Sequence, residues 1–264
     1  MIKLGRVAPG AQAIDPDDKG VNITLRGTVH FLDEHPVEAY IKFLSTRQLV
    51  NELICSVLAK QLELKVPRAF LVVVDRMDYP DAPMFVGNDT TEQVAFAVES
   101  LAHPSLIRRL KLEGDHWQQM LKAHWKGWTT AAAFDELIAN RDRHGGNLLV
   151  GAADDVWLID HTHALTGEAW SAEDLTEVGH RAVENKLARL LGYLLQPGEA
   201  SEQKPQAEAL QAKALTLDYV QSIQTSWAGA LMTSEDSFAL ASFLNARSGY
   251  IAKNVCAHYG PTLL

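Results

Sequence analysis

Two short apolar runs near the middle of the chain, separated by an acidic turn, constrain the fold most. Residues 148–150 are Leu-Leu-Val, residues 156–159 are Val-Trp-Leu-Ile, and the small, acidic segment 151–155 lies between them. Apolar runs of this length around a turn-forming segment predict a β-hairpin. A hairpin brings the end of its second strand beside the start of its first. Polar residues just outside the two runs should therefore lie close together.

Three polar side chains flank the predicted hairpin and are expected to converge. Asp142 and Asn147 precede the first strand, and Asp160 follows the second. Asn147 and Asp160 would supply oxygen ligands of the kind that Mg2+ prefers, while Asp142 would supply a separate carboxylate. Magnesium-assisted phosphoryl transfer requires these groups, so we predict a catalytic centre here.

The spacing and neighbours of these residues resemble known kinases. Asp142 and Asn147 are five positions apart, as in the D-x-x-x-x-N catalytic loop of protein kinases. The run N-R-D-R-H-G-G-N also resembles phosphoinositide 3-kinase-like enzymes, and together with the later L-I-D-H it resembles HipA-like kinases. This resemblance implies that Asp142 is the catalytic carboxylate and that Asn147 and Asp160 are magnesium ligands. It also implies that His144 lies near the transferring phosphate, where protein kinases place a lysine.

An upstream strand and helix predict a binding group for the nucleotide phosphates. Lys42 lies in the strand-like run 37–44, in the sequence A-Y-I-K, which resembles the V-A-I-K strand of kinases. The apolar stripe of the next segment predicts a helix over residues 49–62, with Glu52 in its first turn. A solvated lysine and a glutamate favoured by the helix dipole explain each residue alone. In this order, they predict the ion pair that fixes the phosphate-binding lysine in kinases.

The order of elements predicts an α+β, two-lobed kinase-like fold. Residues 1–99 are interpreted as a small lobe with an antiparallel sheet and one helix, and residues 100–264 as a mostly helical large lobe that carries the catalytic loop and the hairpin. Residues 196–206 are interpreted as a linker. Strands are expected at residues 2–7 (an edge strand), 23–25, 28–32, 37–44, 70–75 and 94–98, and two further helices at residues 101–112 and 117–128.

The last strand of the predicted small lobe should lead into a hinge. By the kinase resemblance, backbone groups at Ala97, Val98 and Glu99 would pair with the adenine of ATP. The chain departs from the protein-kinase pattern because no G-x-G-x-x-G precedes Lys42. HipA-like and lipid-kinase-like folds also lack that motif, which favours them over ordinary protein kinases.

Composition excludes several classes of partner. The net charge is −9 and there is no basic tract, which argues against direct binding of nucleic acid. No apolar run approaches the ~18 residues of a membrane span, and the first residues lack the hydrophobic region of a signal peptide. The two cysteines, Cys55 and Cys256, lie in apolar contexts typical of buried thiols. A cytoplasmic protein is expected.

These features predict an ATP- and Mg2+-dependent kinase. The HipA-like resemblance implies a protein serine or threonine as the acceptor and a toxin-type kinase. It further implies a separate, DNA-binding, antitoxin-like regulator, because HipA-like kinases often work with such a partner.

Three alternatives stay open at this point. The first is a kinase for a small molecule or a lipid, and the second is a catalytically silent kinase-like binding module. The third is a metal-dependent phosphohydrolase, which would be built on the carboxylates and histidines of the central stretch: Asp142, His144, Asp160, His161 and His163.

Overall fold

The structure is a computed structural model, and it describes most of the chain. The described residues are 1–14, 23–79, 91–106, 108, 119, 122–151, 154–196 and 198–259. Of the helices that we predicted over residues 101–112 and 117–128, the structure describes residues 101–106, 108, 119 and 122–128, and among these residues 101–105 and 125–127 are not helical.

A six-stranded sheet forms within the first hundred residues of the described chain. Its strand order is β1-β5-β6-β4-β3-β2, and β1 also pairs with β3, so the sheet curls back on itself. The strands are β1 (Lys3–Val7), β2 (Gln12–Ala13), β3 (Thr24–His30), β4 (Val37–Lys42), β5 (Ala69–Asp75) and β6 (Glu92–Glu99).

Two details of the predicted sheet are wrong. The sheet is mixed and β1 is not an edge strand, because β1 pairs with β5 in parallel and with β3 in antiparallel orientation. The runs expected at 23–25 and 28–32 form one strand, in which Gly27 pairs with Ala39 inside an unbroken ladder. A Cβ at Gly27 would lie 2.4 Å from the Ala11 Cβ. This glycine permits a close approach to the neighbouring chain and does not mark a turn.

Alternation along β4 separates two packed faces of the sheet. Ala39 and Ile41 point into the core enclosed by the curled sheet. Helix α1 (Thr46–Gln61) covers the opposite face, where Leu53 packs with Phe96 of β6. Because side chains alternate with a period of two, Lys42 projects towards α1.

The remaining described chain is mainly helical. The predicted hairpin is confirmed, with β7 (Leu148–Val150) paired to β8 (Val156–Leu158). The helices are α2 (Trp128–Leu137), α3 (Ala172–Val178), α4 (Lys186–Leu194), α5 (Glu199–Ala214), α6 (Tyr219–Thr225), α7 (Ser234–Ser248) and α8 (Ile251–Cys256), and short 3-10 turns lie at Gly145–Asn147 and Ala228–Leu231.

Helix α2 is the buried centre of this helical region. It contacts α4, α5, α7 and α8, and Phe134 and Leu137 on it are fully buried. The chain passes from its C-terminal end directly into the segment that carries Asp142. That segment therefore directly follows a helix in which nine of ten residues are buried.

The segment 196–206 does not form the linker that we predicted. Most of it belongs to α5, which buries Ala207, Leu210 and Ala214 against the helical core. Tertiary packing of this apolar face outweighs the polar composition of the first turns and the proline within the helix. Among the described helices, none combines the length and apolar character that crossing a membrane demands.

Candidate active site

The Lys42 ammonium joins the sheet, helix α1 and the segment after the hairpin. Its Nζ lies 2.9 Å from Glu52 Oε1 and 3.5 Å from Asp160 Oδ1. Glu52 is only 2% exposed, and its second carboxylate oxygen accepts the backbone N–H of His161 at 3.1 Å. The structure thus brings three residues that we singled out from distant parts of the sequence into one cluster.

The charges of this cluster reinforce one another. Burial disfavours the charged form of both Lys42 and Glu52, but their mutual attraction outweighs it. The attraction of Glu52 and of Asp160 raises the pKa of Lys42 above its ordinary value. The attraction of Lys42 and a hydrogen bond from His161 lower the pKa of Glu52 to about 2. Lys42 and Glu52 are therefore both charged at neutral pH.

The Arg143 side chain anchors the loop that carries Asp142 to helix α2. Its Nε and Nη2 donate to the two carboxylate oxygens of Asp135 in α2, at 3.1 and 3.0 Å. Its Nη1 donates to the carbonyl oxygens of Asn147, at 3.1 Å, and Ile159. One buried guanidinium therefore ties α2, the loop and the end of β8 together. Sequence analysis missed this role because Arg143 was noted only as part of the motif.

Asn147 and Asp160 lie at the open end of the hairpin, where the Ile159 N–H donates to the Asn147 carbonyl oxygen at 3.1 Å. The Asn147 Nδ2 donates to the Asp142 carbonyl oxygen at 3.0 Å, which leaves Oδ1 as the free side-chain acceptor. Asp160 has a left-handed backbone with φ 59°, and its Oδ1 accepts the Thr162 hydroxyl at 2.9 Å. A left-handed aspartate costs energy and is typical of functional sites. An amide oxygen and a carboxylate fit the preference of Mg2+ for oxygen ligands.

Asp142 receives a hydrogen bond from a residue that sequence analysis missed. Lys186 Nζ, at the start of α4, lies 2.8 Å from Asp142 Oδ1. His144 Nε2 lies farther away, 3.7 Å from Oδ2. Burial alone would raise the pKa of Asp142, but the hydrogen bond and charge of Lys186 lower it. Lys186 follows Asp142 by 44 positions, and no local pattern links the two.

The strand whose end we predicted to pair with adenine, β6, is hydrogen-bonded to a neighbouring strand along both of its edges. Ala97 and Val98 of β6 are registered with β4 and with β5. The Glu99 N–H donates to Arg68 O at 2.8 Å, and the Ser100 N–H donates to Glu38 O at 2.9 Å. These contacts engage the backbone N–H groups of Glu99 and Ser100 in the sheet, and the placement of adenine at Ala97 to Glu99 stays a prediction.

Asn51 fastens the segment after Asp160 to helix α1. Its Nδ2 lies 2.7–3.0 Å from the carbonyl oxygens of Thr162, Ala164 and Gly167. Its Oδ1 accepts the indole N–H of Trp170 at 2.8 Å. The fully buried Asn51 was not singled out from sequence, because its partners are more than a hundred positions away.

The histidine-rich metal site of the hydrolase alternative is not assembled. Among the described residues, no group of three His, Cys, Asp or Glu side chains is arranged to hold a metal ion. His161 is buried, with its ring edge-on to Phe134. His163 Nε2 lies 3.2 Å from a Glu168 carboxylate oxygen. Each ring is thus engaged by a neighbour of its own.

One protein family matches this chain. A family model described as HipA-like kinase matches residues 40–189, which is more than half of the chain and includes Lys42, Glu52 and Asp160. No curated protein sequence matches significantly.

The chain is also similar to solved structures. The crystal structure of a Helicobacter pylori proinflammatory kinase, CtkA, superposes with a TM-score of 0.54 at 14% identity, over 89% of this chain and 94% of that chain. The 618-residue N-terminal fragment of LepB from Legionella pneumophila gives a TM-score of 0.39 at 15% identity, over 85% and 46% of the two chains. The first likeness shows a kinase-type fold.

Proposed function

The chain belongs to the HipA-like kinase family, and from this membership we propose that it is an ATP- and Mg2+-dependent kinase that phosphorylates serine or threonine in a protein. The observation that carries the proposal is the position of Lys42 Nζ, within 2.9 Å of Glu52 and 3.5 Å of Asp160. A partly buried, charged ammonium beside a partly exposed carboxylate is suited to bind the phosphates of a metal-bound nucleotide.

Each residue of the cluster has a proposed task. Lys42 binds the α- and β-phosphates, and Glu52 holds its ammonium in position. Asn147 Oδ1 and the Asp160 carboxylate hold Mg2+, which, when bound, neutralises charge on the phosphate oxygens. Asp142 orients the acceptor hydroxyl and accepts its proton.

Adenine is proposed to bind just beyond β6. The donors at Glu99 and Ser100 are engaged in the sheet, whereas Leu101 and Ala102 have left the strand. We place the adenine-pairing backbone there. This position also marks the proposed boundary between a small lobe, residues 1–99, and a large lobe, residues 100–264.

Label transfer from γ-labelled ATP tests the proposal. The full chain is incubated with phosphatase-treated lysate and Mg2+, and the label is located by mass spectrometry. We expect phosphoserine or phosphothreonine in protein, and only a small residual rate of transfer with the Asp142→Asn variant. Label found instead in the small-molecule or lipid extract would establish the other acceptor classes. Absence of transfer would overturn the kinase proposal. The separate DNA-binding regulator is not tested by this experiment and stays a prediction of the family resemblance.

A further inference from the structure

Lys186 reaches Asp142 from a rigid support. It is the first residue of α4, and the preceding Asn185 is fully buried. Asn185 Nδ2 donates to the Ala132 carbonyl oxygen in α2 at 2.7 Å, and its Oδ1 accepts the Ala188 N–H at 2.8 Å. The start of α4 is therefore fixed to the same helix that leads into the Asp142 loop.

The stability of α4 does not explain a lysine at this position. A cation in the first turn opposes the helix dipole and is unfavourable there. The Lys186 and Asp142 side chains are 41% and 32% exposed, and ion pairs that open to solvent contribute little to stability. These two contributions to the stability of α4 roughly cancel. The contact with Asp142 is therefore better explained by a role in the reaction than by a role in stability.

His144 does not provide the same contact. Its Nδ1 accepts the Gly146 N–H at 3.0 Å, which requires that nitrogen to be unprotonated. Its Nε2 lies 3.7 Å from Asp142 Oδ2, beyond hydrogen-bond distance. The direct cationic contact to the Asp142 carboxylate therefore comes from Lys186.

We propose that Lys186 is a positioning residue that holds Asp142 Oδ1 and thereby aims Oδ2 at the acceptor hydroxyl. This inference rests on the proposed kinase function. During transfer the acceptor oxygen forms a bond to the γ-phosphorus, the bond between that phosphorus and the departing ADP oxygen breaks, and the hydroxyl proton passes to Asp142 Oδ2. Lys186 keeps its own proton throughout.

Variants of α4 separate positioning from structural support. Lys186→Met and Lys186→Gln remove the charge, and Lys186→Arg retains it. Arg189→Met is the matched control, because Arg189 lies one turn further along α4 and pairs with Glu184 at 2.9 Å on the surface. For each full-length protein we would measure the initial rate of label transfer to phosphatase-treated lysate protein, the KM for ATP, and the melting temperature with and without ATP and Mg2+.

The neutral variants should lose rate without losing nucleotide binding. We expect a rate about 10–100-fold below wild type, because a small misplacement of a catalytic group costs this much. The KM for ATP should stay within about 2-fold. The melting temperature should change by less than about 4 °C, because an ion pair that opens to solvent contributes little to stability. Lys186→Arg should recover part of the rate, and Arg189→Met should match wild type.

A double-mutant comparison shows whether Lys186 acts through Asp142. In an Asp142→Asn background, Lys186→Met should lower the residual rate by less than about 2-fold. The inference is overturned if the neutral variants transfer label within about 3-fold of the wild-type rate. An equal loss of transfer rate in Arg189→Met would overturn it as well. So would a loss of rate from Lys186→Met that is as large in the Asp142→Asn background as in wild type. A wild-type protein that transfers no label would instead overturn the proposed function, and this inference with it.

Discussion

The Arg143 guanidinium and the Asp135 carboxylate form a two-pronged ion pair in which both side chains are nearly inaccessible to solvent, at 1% and 0%. We expect Arg143→Met to lower the free energy of unfolding by roughly 3–5 kcal/mol, because it leaves the Asp135 charge buried without its cation. Urea denaturation measures the change. Arg141→Met, at the exposed position two residues earlier, should stay within about 0.5 kcal/mol of wild type. Equal midpoints for the two variants would contradict the buried-clamp role of Arg143.

Lys42 should be required for transfer whatever its contribution to stability. Lys42→Met is expected to abolish label transfer, and Lys42→Arg should not restore it fully, because a planar guanidinium does not replace a compact ammonium between Glu52 and Asp160. Lys65→Met is the control, since Lys65 forms an exposed pair with Asp155 at 3.0 Å. Undiminished transfer by Lys42→Met would remove the proposed phosphate-binding role.

Asp160 and Asp142 should affect different steps. At a nucleotide concentration ~100 times the dissociation constant, binding stabilises a protein by about 2.7 kcal/mol, which corresponds to roughly 5–10 °C in melting temperature here. Wild type and Asp142→Asn should both show this shift with ATP and Mg2+, while Asp160→Asn should lose most of it. Asp160→Asn should be inactive, and Asp142→Asn should retain only a small residual rate of transfer. The opposite pattern of shifts would mean that the two carboxylates have exchanged roles.

The ionisation of Glu52 should make the free energy of unfolding depend on pH. Its pKa is lowered to about 2 in the folded protein from an ordinary value of ~4.3. The ionised carboxylate therefore contributes stability above the ordinary value, and this contribution is lost as the pH falls towards 2. We expect the difference in unfolding free energy between wild type and Glu52→Gln to be largest above pH ~5 and to shrink below it. A difference that stays constant from pH 6 to the acid transition would show that Glu52 is not the titrating group.

The sequence predicted the elements whose pattern is local. The hairpin of β7 and β8 follows from two apolar runs around a turn, and the order of β4 and α1 follows from a change of period from two to 3.6. The pairing of Lys42 with Glu52, ten positions apart on consecutive elements, also used the resemblance to the kinase arrangement of a strand lysine and an early-helix glutamate. The elements themselves were predicted from neighbouring residues alone.

Partners that are distant in the chain could not be predicted in this way. Periodicity shows that β1 is a strand but not that it pairs in parallel with β5. Nothing near Asp142 indicates Lys186, and nothing near Asn51 indicates Thr162. Each contact depends on how complete elements pack, which is a property of the whole core and not of a sequence window.

The curled sheet has a consequence for how the chain folds as it is synthesised. β1 leaves the ribosome before both of its sheet partners, and its parallel partner β5 begins only at Ala69. At ~5–20 residues per second, roughly 3–15 s pass before β5 is made, so the edge of β1 that pairs with β5 stays open for this time. The indole N–H of Trp227, which donates to the Ile2 carbonyl oxygen at 3.0 Å across 225 positions, arrives roughly 10–45 s after Ile2. The strand therefore acquires its pairings with β3 and β5 well before this last contact.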